Sequence, residues 1–192
     1  MMKLILASTS PFRKEILDKL GVAFDTESPH TDEQALPNET PQALVERLSI
    51  AKAKAVADKN KNALVIGSDQ VSVINNEIIG KPHTHENAVK QLQNASGKTV
   101  TFYTGLCLYN AATQQYQSDV VPFDVVFRKL TDEQIESYLK KEEPYNCAGS
   151  FKSEALGIVL FEKLVGDDPN TLMGLPLIRL VEMLEKEDYP VL

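Results

Sequence analysis

Ala63-Leu64-Val65-Ile66-Gly67, followed at once by Ser68-Asp69-Gln70, is the stretch that decides the fold. A continuous apolar run of this length predicts a central strand that is covered on both faces by other elements. Asp69 then falls near the C-terminal end of the predicted strand, where α/β sheets place their ligands. A carboxylate at that position can bind a metal or orient a water molecule. An ordinary turn or capping aspartate is an equally good interpretation.

A strand, a loop and a helix are predicted at the start of the chain. Leu4-Ile5-Leu6-Ala7 is a short apolar run, and Ser8-Thr9-Ser10-Pro11 leads into a helix with Ser10 as its N-cap. A helix N-terminus binds anions through unpaired N–H groups and the positive end of its dipole, and Arg13 adds a bidentate donor. The alternative is ordinary capping beside solvated basic residues, which the motif alone slightly favours.

The rest of the chain predicts an α/β protein with a mixed sheet, because strands and helices alternate early and long strands dominate later. The later segments predicted as strands are 71–74, 77–79, 99–109, 115–128 and 157–161. The later segments predicted as helices begin at Thr40-Pro41, Thr84, Thr131 and Leu175. We expect one domain that spans residues 1–192.

Composition excludes several classes of protein. The chain of 192 residues has a net charge of -7, which argues against a broad grip on a nucleic-acid backbone. The apolar run at the N-terminus is too short for a signal peptide or a membrane span, so a cytoplasmic location is expected. Cys107 and Cys147 form no CxxC pair and are interpreted as reduced thiols.

The residue types that phosphoryl chemistry requires occur together in this chain. Asp32-Glu33 can supply a second carboxylate for Mg²⁺, and Lys52 and Lys81 can supply cations for phosphate oxygens. Taken singly, each of these charges is better explained as solvated surface. A Walker A loop and a GxGxxG motif are both absent, and the three histidines are poorly spaced for a metal site.

These segments, in this order, resemble the Maf family of nucleotide pyrophosphatases. The matching motifs cover nearly the whole chain: Leu4 to Pro11, Asp32-Glu33, Arg47-Leu48 with Lys52-Ala53, Gly67 to Gln70, Gly80-Lys81-Pro82 and Tyr145 to Phe151. The resemblance implies a Maf/inosine-triphosphatase-like fold, with a mixed twisted sheet, flanking helices and two lobes around a central cleft. It further implies a nucleoside triphosphate substrate, a divalent metal cation (Mg²⁺ or Mn²⁺) and, as in many members, a homodimer.

The resemblance also assigns roles to individual residues. Asp69 is the proton acceptor, and Glu33 and Asp69 hold the metal. The residues implied to bind phosphate are Ser8, Arg13, Lys52 and Lys81. In the implied reaction, Asp69 takes a proton from water as the water attacks the α-phosphorus, and the cations neutralise the charge on the departing diphosphate.

Three positions that vary between branches of the family indicate the base: Phe12, Gln70 and Glu154. The dTTP and UTP branch typically carries Arg, Thr and Gln there, so this chain resembles the branch that acts on 7-methyl-GTP. N7-methylguanine is a cationic ring on which Phe12 can stack, and Glu154 can accept hydrogen bonds from the guanine N1–H and amino group. That branch often has Trp at position 12, and Phe is the weaker partner of a cation. Alternatively, Phe12 packs the first helix and Glu154 is a solvated charge.

The sequence is also compatible with other functions. The chain could hydrolyse dTTP, UTP or another non-standard triphosphate, as an inosine triphosphate pyrophosphatase does. It could also be a nucleotide-binding regulator of cell division, since Maf relatives have been linked with inhibition of septum formation. The intact set of Asp69, Glu33, Lys52 and Lys81 argues against an inactive relative.

Overall fold

The computed structural model describes every residue from Met1 to Leu192. Its strands are β1 (Lys3–Leu6), β2 (Asp25–Thr26), β3 (Ala63–Ile74), β4 (Glu77–Ile79), β5 (Thr99–Asn110), β6 (Gln115–Phe127) and β7 (Phe161–Val165). Its helices are α1 (Pro11–Asp18), α2 (Pro41–Ala57), α3 (His85–Ala95), α4 (Asp132–Glu142), α5 (Pro169–Leu172) and α6 (Leu177–Lys186). Two 3₁₀ helices cover Ala148–Ser150 and Leu156–Leu160.

The strands form one seven-stranded sheet, and the prediction that it is mixed is confirmed. Its order is β2-β1-β3-β5-β6-β7, and β4 pairs with β3. β1 is parallel to both β2 and β3, whereas the β3–β4 and β6–β7 pairs are antiparallel. The predicted hairpin after β3 is confirmed, because Asn75 and Asn76 both adopt the positive φ that a tight β-turn requires.

The chain divides into two compact units. The first comprises Met1–Gln70, Tyr103–Val121 and Asp168–Leu192. The second comprises Val71–Phe102 and Pro122–Asp167. In the second unit, four phenylalanines pack edge to face as the aromatic part of its core: Phe102, Phe127, Phe151 and Phe161. No helix of the protein is both long enough and apolar enough to cross a membrane.

Side chains that alternate along β1 bury both faces of the sheet in the first unit. Leu4 and Leu6 pack with residues of α1 and α6, whereas Ile5 and Ala7 pack with residues of α2. β3 repeats this division along 63–66. The prediction of a central strand covered on both faces is therefore confirmed, and the cause is the two-residue period of a strand between two helical layers.

Two glycines let α2 lie directly on the sheet. A Cβ at Gly67 would stand 2.1 Å from the Ser49 carbonyl oxygen, and one at Gly105 would stand 2.2 Å from that of Val45. Only glycine permits this approach of helix and strand backbones. The close contact brings Lys52, on the buried side of α2, next to the part of β3 that follows Gly67.

Two of the predicted strands differ from the structure. β3 does not end near Asp69 but continues to Ile74, so Asp69 lies within the strand. The segment 157–161 is mostly a 3₁₀ helix, Leu156–Leu160, and strand β7 starts only at Phe161. At Gly157 the backbone folds back on Lys152, with an N–H to carbonyl bond of 2.9 Å that leaves no room for a Cβ. The last helix also starts two residues later than predicted, at Leu177.

The predicted helix starts are otherwise confirmed. Ser10, Thr40, Thr84 and Thr131 each cap a helix through the side-chain oxygen, and Thr131 forms a complete capping box with Gln134. Cys107 is fully buried in β5, and burial raises the pKa of its thiol to about 12. That thiol is a packing group, as expected, because a thiol that stays protonated is neither a nucleophile nor a metal ligand.

Candidate functional site

An open pocket of about 360 Å³ lies in the first unit, where β1 ends and α1 begins. Its wall contains Ser8, Thr9, Ser10 and Arg13 from the β1–α1 junction, the segment 28–31, Glu33, and Lys52 from α2. Most of this lining is polar or charged. Four of the residues predicted to act on phosphate or metal are therefore gathered at one place: Ser8, Arg13, Glu33 and Lys52.

The serines of the junction organise the first turn of α1. Ser10 Oγ accepts a hydrogen bond from the Arg13 N–H at 3.3 Å, and Ser8 Oγ accepts one from the Ser10 N–H at 3.0 Å. Both hydroxyls act here as acceptors, so each keeps its own hydrogen for a further bond. The junction thus presents hydroxyl donors and a helix N-terminus to the pocket, which is suited to an anion.

Arg13 contributes a guanidinium that is held on one side only. Its Nε donates to the Gly174 carbonyl oxygen at 2.7 Å, and its terminal nitrogens have no hydrogen-bond partner in the protein. Burial lowers the pKa of the Arg13 guanidinium, and the carboxylates of Asp69 and Glu33 oppose that shift. Arg13 therefore interacts electrostatically with both carboxylates, while the N–H groups of its terminal nitrogens remain available to a ligand.

Lys52 joins the two predicted metal-binding carboxylates. Its Nζ lies 2.7 Å from Glu33 Oε1 and 2.9 Å from Asp69 Oδ1. The side chain of Lys52 is only 9% exposed, and those of Asp69 and Glu33 are 15% and 61% exposed. The interpretation of Lys52 as a solvated surface charge is therefore wrong. Ile66 is the last residue of β3 that pairs with β1, and Asp69 comes three residues later. Asp69 therefore lies beyond the carboxyl end of β1, although β3 itself continues.

An ion pair fixes the loop that carries Glu33. Arg47 on α2 donates to both carboxylate oxygens of Glu39, at 2.6 and 2.9 Å, and to the Gln34 carbonyl oxygen at 3.0 Å. The hydrogen bonds from Arg47 lower the pKa of Glu39 to about 2. Asp32 instead accepts from the Gln34 N–H and shapes the turn. Of the pair Asp32-Glu33, only Glu33 contacts Lys52.

The donor set at Lys52 fits a hard divalent cation. One oxygen of Glu33 and one of Asp69 each contact the Lys52 ammonium, so the two carboxylates lie close to one another. Mg²⁺ is commonly bound by one or two carboxylates together with substrate phosphates, and Mn²⁺ prefers the same oxygen ligands. The protein contains no group of three or more histidine, cysteine or acidic side chains with metal-binding geometry. Glu33 and Asp69 are the residues that would hold such a cation.

The residues predicted to select the base differ in their surroundings. Phe12 is 47% exposed at the start of α1, whose buried residues are Ile16 and Leu17. Phe12 is therefore outside the core that α1 buries, and its role in base selection stays a prediction. Gln70 is half-buried, and its Nε2 lies within hydrogen-bond distance of Thr104 Oγ1 and two backbone carbonyl oxygens of α5. Its amide nitrogen is thus committed to the protein.

Lys81 and Glu154 belong to the second unit. Lys81 is exposed in the turn after β4, and the neighbouring Gly80 carbonyl accepts from the Gly149 N–H and from Gln91 Nε2. These bonds join the turn that carries Lys81 to the 3₁₀ helix Ala148–Ser150. Glu154 is exposed and accepts a long bond, 3.4 Å, from the Ser153 hydroxyl. Neither Lys81 nor Glu154 forms an ion pair.

The sequence patterns did not single out two residues that hold this site. Asp168 is buried, and its carboxylate accepts from the backbone N–H groups of Asn170 and Ile178. Gly174 supplies the carbonyl that Arg13 contacts. The one signal was Asp168-Pro169, a cap followed by a first-turn proline, which marks a helix start rather than a role in the site. His30, set aside as a metal ligand, also lines the pocket.

Comparison with known proteins places the chain in a family. The model of the family described as Maf-like protein matches residues 3–187. The chain belongs to the Maf family. Among its relatives, this Maf protein is 59% identical over 190 residues to a protein of Aliivibrio fischeri, covering 99% of this chain and 98% of the relative. It is 57% identical over 189 residues to a protein of Nitrosococcus oceani, covering 98% and 95%. Both relatives are named 7-methyl-GTP pyrophosphatase.

The Maf protein is also similar to a solved structure. The Ham1 protein of Staphylococcus aureus matches it with a TM-score of 0.46 and 14% sequence identity. The match covers 65% of this chain and 71% of the Ham1 chain.

Proposed function

We propose that this Maf protein hydrolyses 7-methyl-GTP to 7-methyl-GMP and diphosphate. Lys52, Glu33 and Asp69 carry the proposal, because one buried ammonium holds two carboxylates beside a helix N-terminus that is suited to phosphate. Full-length relatives at 57–59% identity that are named 7-methyl-GTP pyrophosphatase support the same reaction. The proposal includes a cytoplasmic enzyme that acts as one domain over residues 1–192, and a homodimer.

Each of the proposed site residues has its own role in the reaction. Asp69 accepts the proton of a water molecule as the water oxygen attacks the α-phosphorus, and the bond to the bridging oxygen of the leaving diphosphate breaks. Arg13 and Lys52, together with Lys81 from the second unit, neutralise charge that grows on the phosphate oxygens. Ser8 donates its hydroxyl hydrogen to a phosphate oxygen. The proton on Asp69 then passes to solvent, so that triphosphate and water give monophosphate and diphosphate.

A divalent cation belongs to this proposal, with Mg²⁺ or Mn²⁺ as candidates. Held by Glu33 and Asp69, it would supply positive charge to the phosphates and to the leaving diphosphate. Base selection rests on two side chains. Phe12 offers an exposed aromatic face to a cationic ring, and Glu154 offers an acceptor for the guanine N1–H and amino group.

A panel of triphosphates tests the reaction and the base together. We expect diphosphate and 7-methyl-GMP from 7-methyl-GTP in the presence of Mg²⁺ or Mn²⁺, and loss of activity with excess chelator. GTP, dTTP, UTP and ITP should be hydrolysed with kcat/KM at least about tenfold lower, the discrimination that roughly 1.4 kcal/mol provides. Preference for dTTP or UTP would indicate the other branch. Nucleotide binding without product would indicate a regulator.

Phe12 variants separate cation–π stacking from apolar contact. We expect Phe12→Ala to lower kcat/KM for 7-methyl-GTP by about tenfold, because a desolvated cation–π contact contributes about 1–2 kcal/mol. Phe12→Leu is the matched control, since it keeps an apolar side chain and removes the aromatic face. It should behave like Phe12→Ala on 7-methyl-GTP and like the wild type on GTP. Equal loss on 7-methyl-GTP and GTP would contradict a role for the ring charge.

A further inference from the structure

We propose that Gly174 is a positioning residue for Arg13. In this proposal the conformation of the segment 168–174 holds the Gly174 carbonyl oxygen against the Arg13 guanidinium. The proposal rests on the proposed function, because Arg13 is placed there as a phosphate ligand. Arg13 Nε donates to this carbonyl oxygen at 2.7 Å, which leaves the edge with the two terminal nitrogens unpaired. A guanidinium fixed at Nε presents that edge in one orientation.

Position 174 accepts only glycine without strain. Its φ is +114, a backbone conformation that L side chains rarely adopt. A Cβ there would also lie 3.2 Å from Arg13 Nε and 3.5 Å from its Cγ, so the arginine would have to move. Substitution at this position therefore acts on Arg13 directly as well as on the backbone.

Side chains of the sheet contact the Gly174 carbonyl and its segment. Ser68, only 1% exposed, places its Oγ 3.0 Å from the Gly174 oxygen and 2.8 Å from the Gly105 oxygen, so its one hydroxyl hydrogen is shared between these two carbonyls. Gln70 places its Nε2 2.9 Å from the Thr171 oxygen and 3.2 Å from the Leu172 oxygen. Ser68 and Gln70 flank Asp69 on β3, and side chains at alternate positions share one face of a strand. The strand that carries the proposed base thus also anchors the segment that orients Arg13.

The N-terminal end of the segment is fixed by a buried carboxylate. Asp168 Oδ1 accepts from the Asn170 N–H and Oδ2 accepts from the Ile178 N–H, both at 2.8 Å. It therefore caps α5 and ties the segment to α6, and the Gly174 N–H closes the turn on the Thr171 oxygen at 3.0 Å. A segment anchored at Asp168, at Gln70 and at Ser68 has little freedom to let the Gly174 oxygen drift.

A double-mutant cycle on kcat for 7-methyl-GTP tests the coupling of Gly174 to Arg13. We expect Gly174→Ala alone to lower kcat by about tenfold to 10²-fold, because the strained backbone and the added Cβ displace Arg13, and a misplacement of about 1 Å can cost about 10²-fold. In the Arg13→Ala background the same substitution should change kcat by less than about threefold, because its effect passes through the arginine. Losses that simply multiply would overturn the proposal. Arg13→Lys should fall close to Arg13→Ala, since lysine lacks the Nε–H that Gly174 binds.

Two further variants provide a control for Gly174→Ala and a substitute for it. Gly21→Ala is the matched control, because Gly21 also has a positive φ, +67, and has no atom within 4 Å of the added Cβ. It should retain wild-type kcat. If Gly174→Ala fails to fold, as a thermal melt would show, Ser68→Ala takes its place in the cycle. We then expect a loss of about tenfold or less in kcat that also disappears in the Arg13→Ala background.

Binding of a non-hydrolysable α,β-methylene analogue of GTP separates this proposal from the proposed reaction. The cycle measured on its Kd reads the Arg13–Gly174 coupling without catalysis, and we expect Gly174→Ala to weaken binding only where Arg13 is present. Wild-type protein that binds the analogue but releases no diphosphate from any triphosphate would overturn the reaction alone. Equal weakening of binding in both backgrounds would overturn the positioning role alone.

Discussion

Replacing Asp69 with asparagine is expected to lower kcat for triphosphate hydrolysis by about 10³-fold, the middle of the range for loss of a general base. Asparagine has almost the same shape, and its side-chain oxygen can still accept from Lys52, which lies 2.9 Å from Asp69 Oδ1. What it loses is the negative charge and the ability to take a proton. The expected loss is therefore in the chemical step, with little change in the fold.

Steady-state release of diphosphate from 7-methyl-GTP measures this effect. Asp58→Asn is the matched control, because Asp58 is exposed at the end of α2 and pairs with Lys54 as an ordinary surface ion pair. It should retain wild-type kcat. Near-normal turnover by Asp69→Asn would remove Asp69 from the role of base, and would shift attention to Glu33, the other carboxylate on Lys52.

The early elements could be predicted because their signals are local. The apolar run of β1 and the Ser-Pro cap of α1 lie within ten consecutive residues, and the structure confirms both. Local patterns also placed Ser8 and Arg13 at one helix start. Conversely, the end of β3 could not be predicted, because the polar residues Ser68-Asp69-Gln70 interrupt the apolar run of the strand. In the folded protein β3 lies between β1 and β5 and continues past these residues. The side chains of Ser68 and Gln70 bond to β5 and to the distant segment 168–174, which no local pattern shows.

The convergence of Glu33, Lys52 and Asp69 is a product of packing rather than of local pattern. Lys52 is buried because Gly67 and Gly105 allow α2 to touch the sheet, and no signal in the sequence of α2 alone marks that contact. The likeness to a known family could place these residues together, but periodicity could not. The misassigned strand at 157–161 has a similar cause, since its apolar residues suit a strand while Gly157 closes tightly on Lys152.

Replacing Lys52 with methionine is expected to lower kcat/KM by about 10²- to 10³-fold, the usual loss when a donor to developing phosphate charge is removed. Methionine matches the length of the apolar stem and removes only the ammonium. Lys54→Met is the matched control, because Lys54 lies two positions after Lys52 on the same helix and is exposed. It should leave the midpoint of urea unfolding and kcat/KM close to the wild-type values.

A second substitution separates the catalytic effect of Lys52 from its effect on stability. Lys52→Met leaves Asp69, only 15% exposed, without its cation, and breaking such a pair costs about 3 kcal/mol in the free energy of unfolding. Glu33 is 61% exposed and is screened by water, so it adds little. Adding Asp69→Asn removes the uncompensated charge and should restore most of the stability in urea titrations, while activity stays lost. If the double variant is no more stable than Lys52→Met, the stability loss comes from packing of the α2 face and not from the unpaired carboxylate.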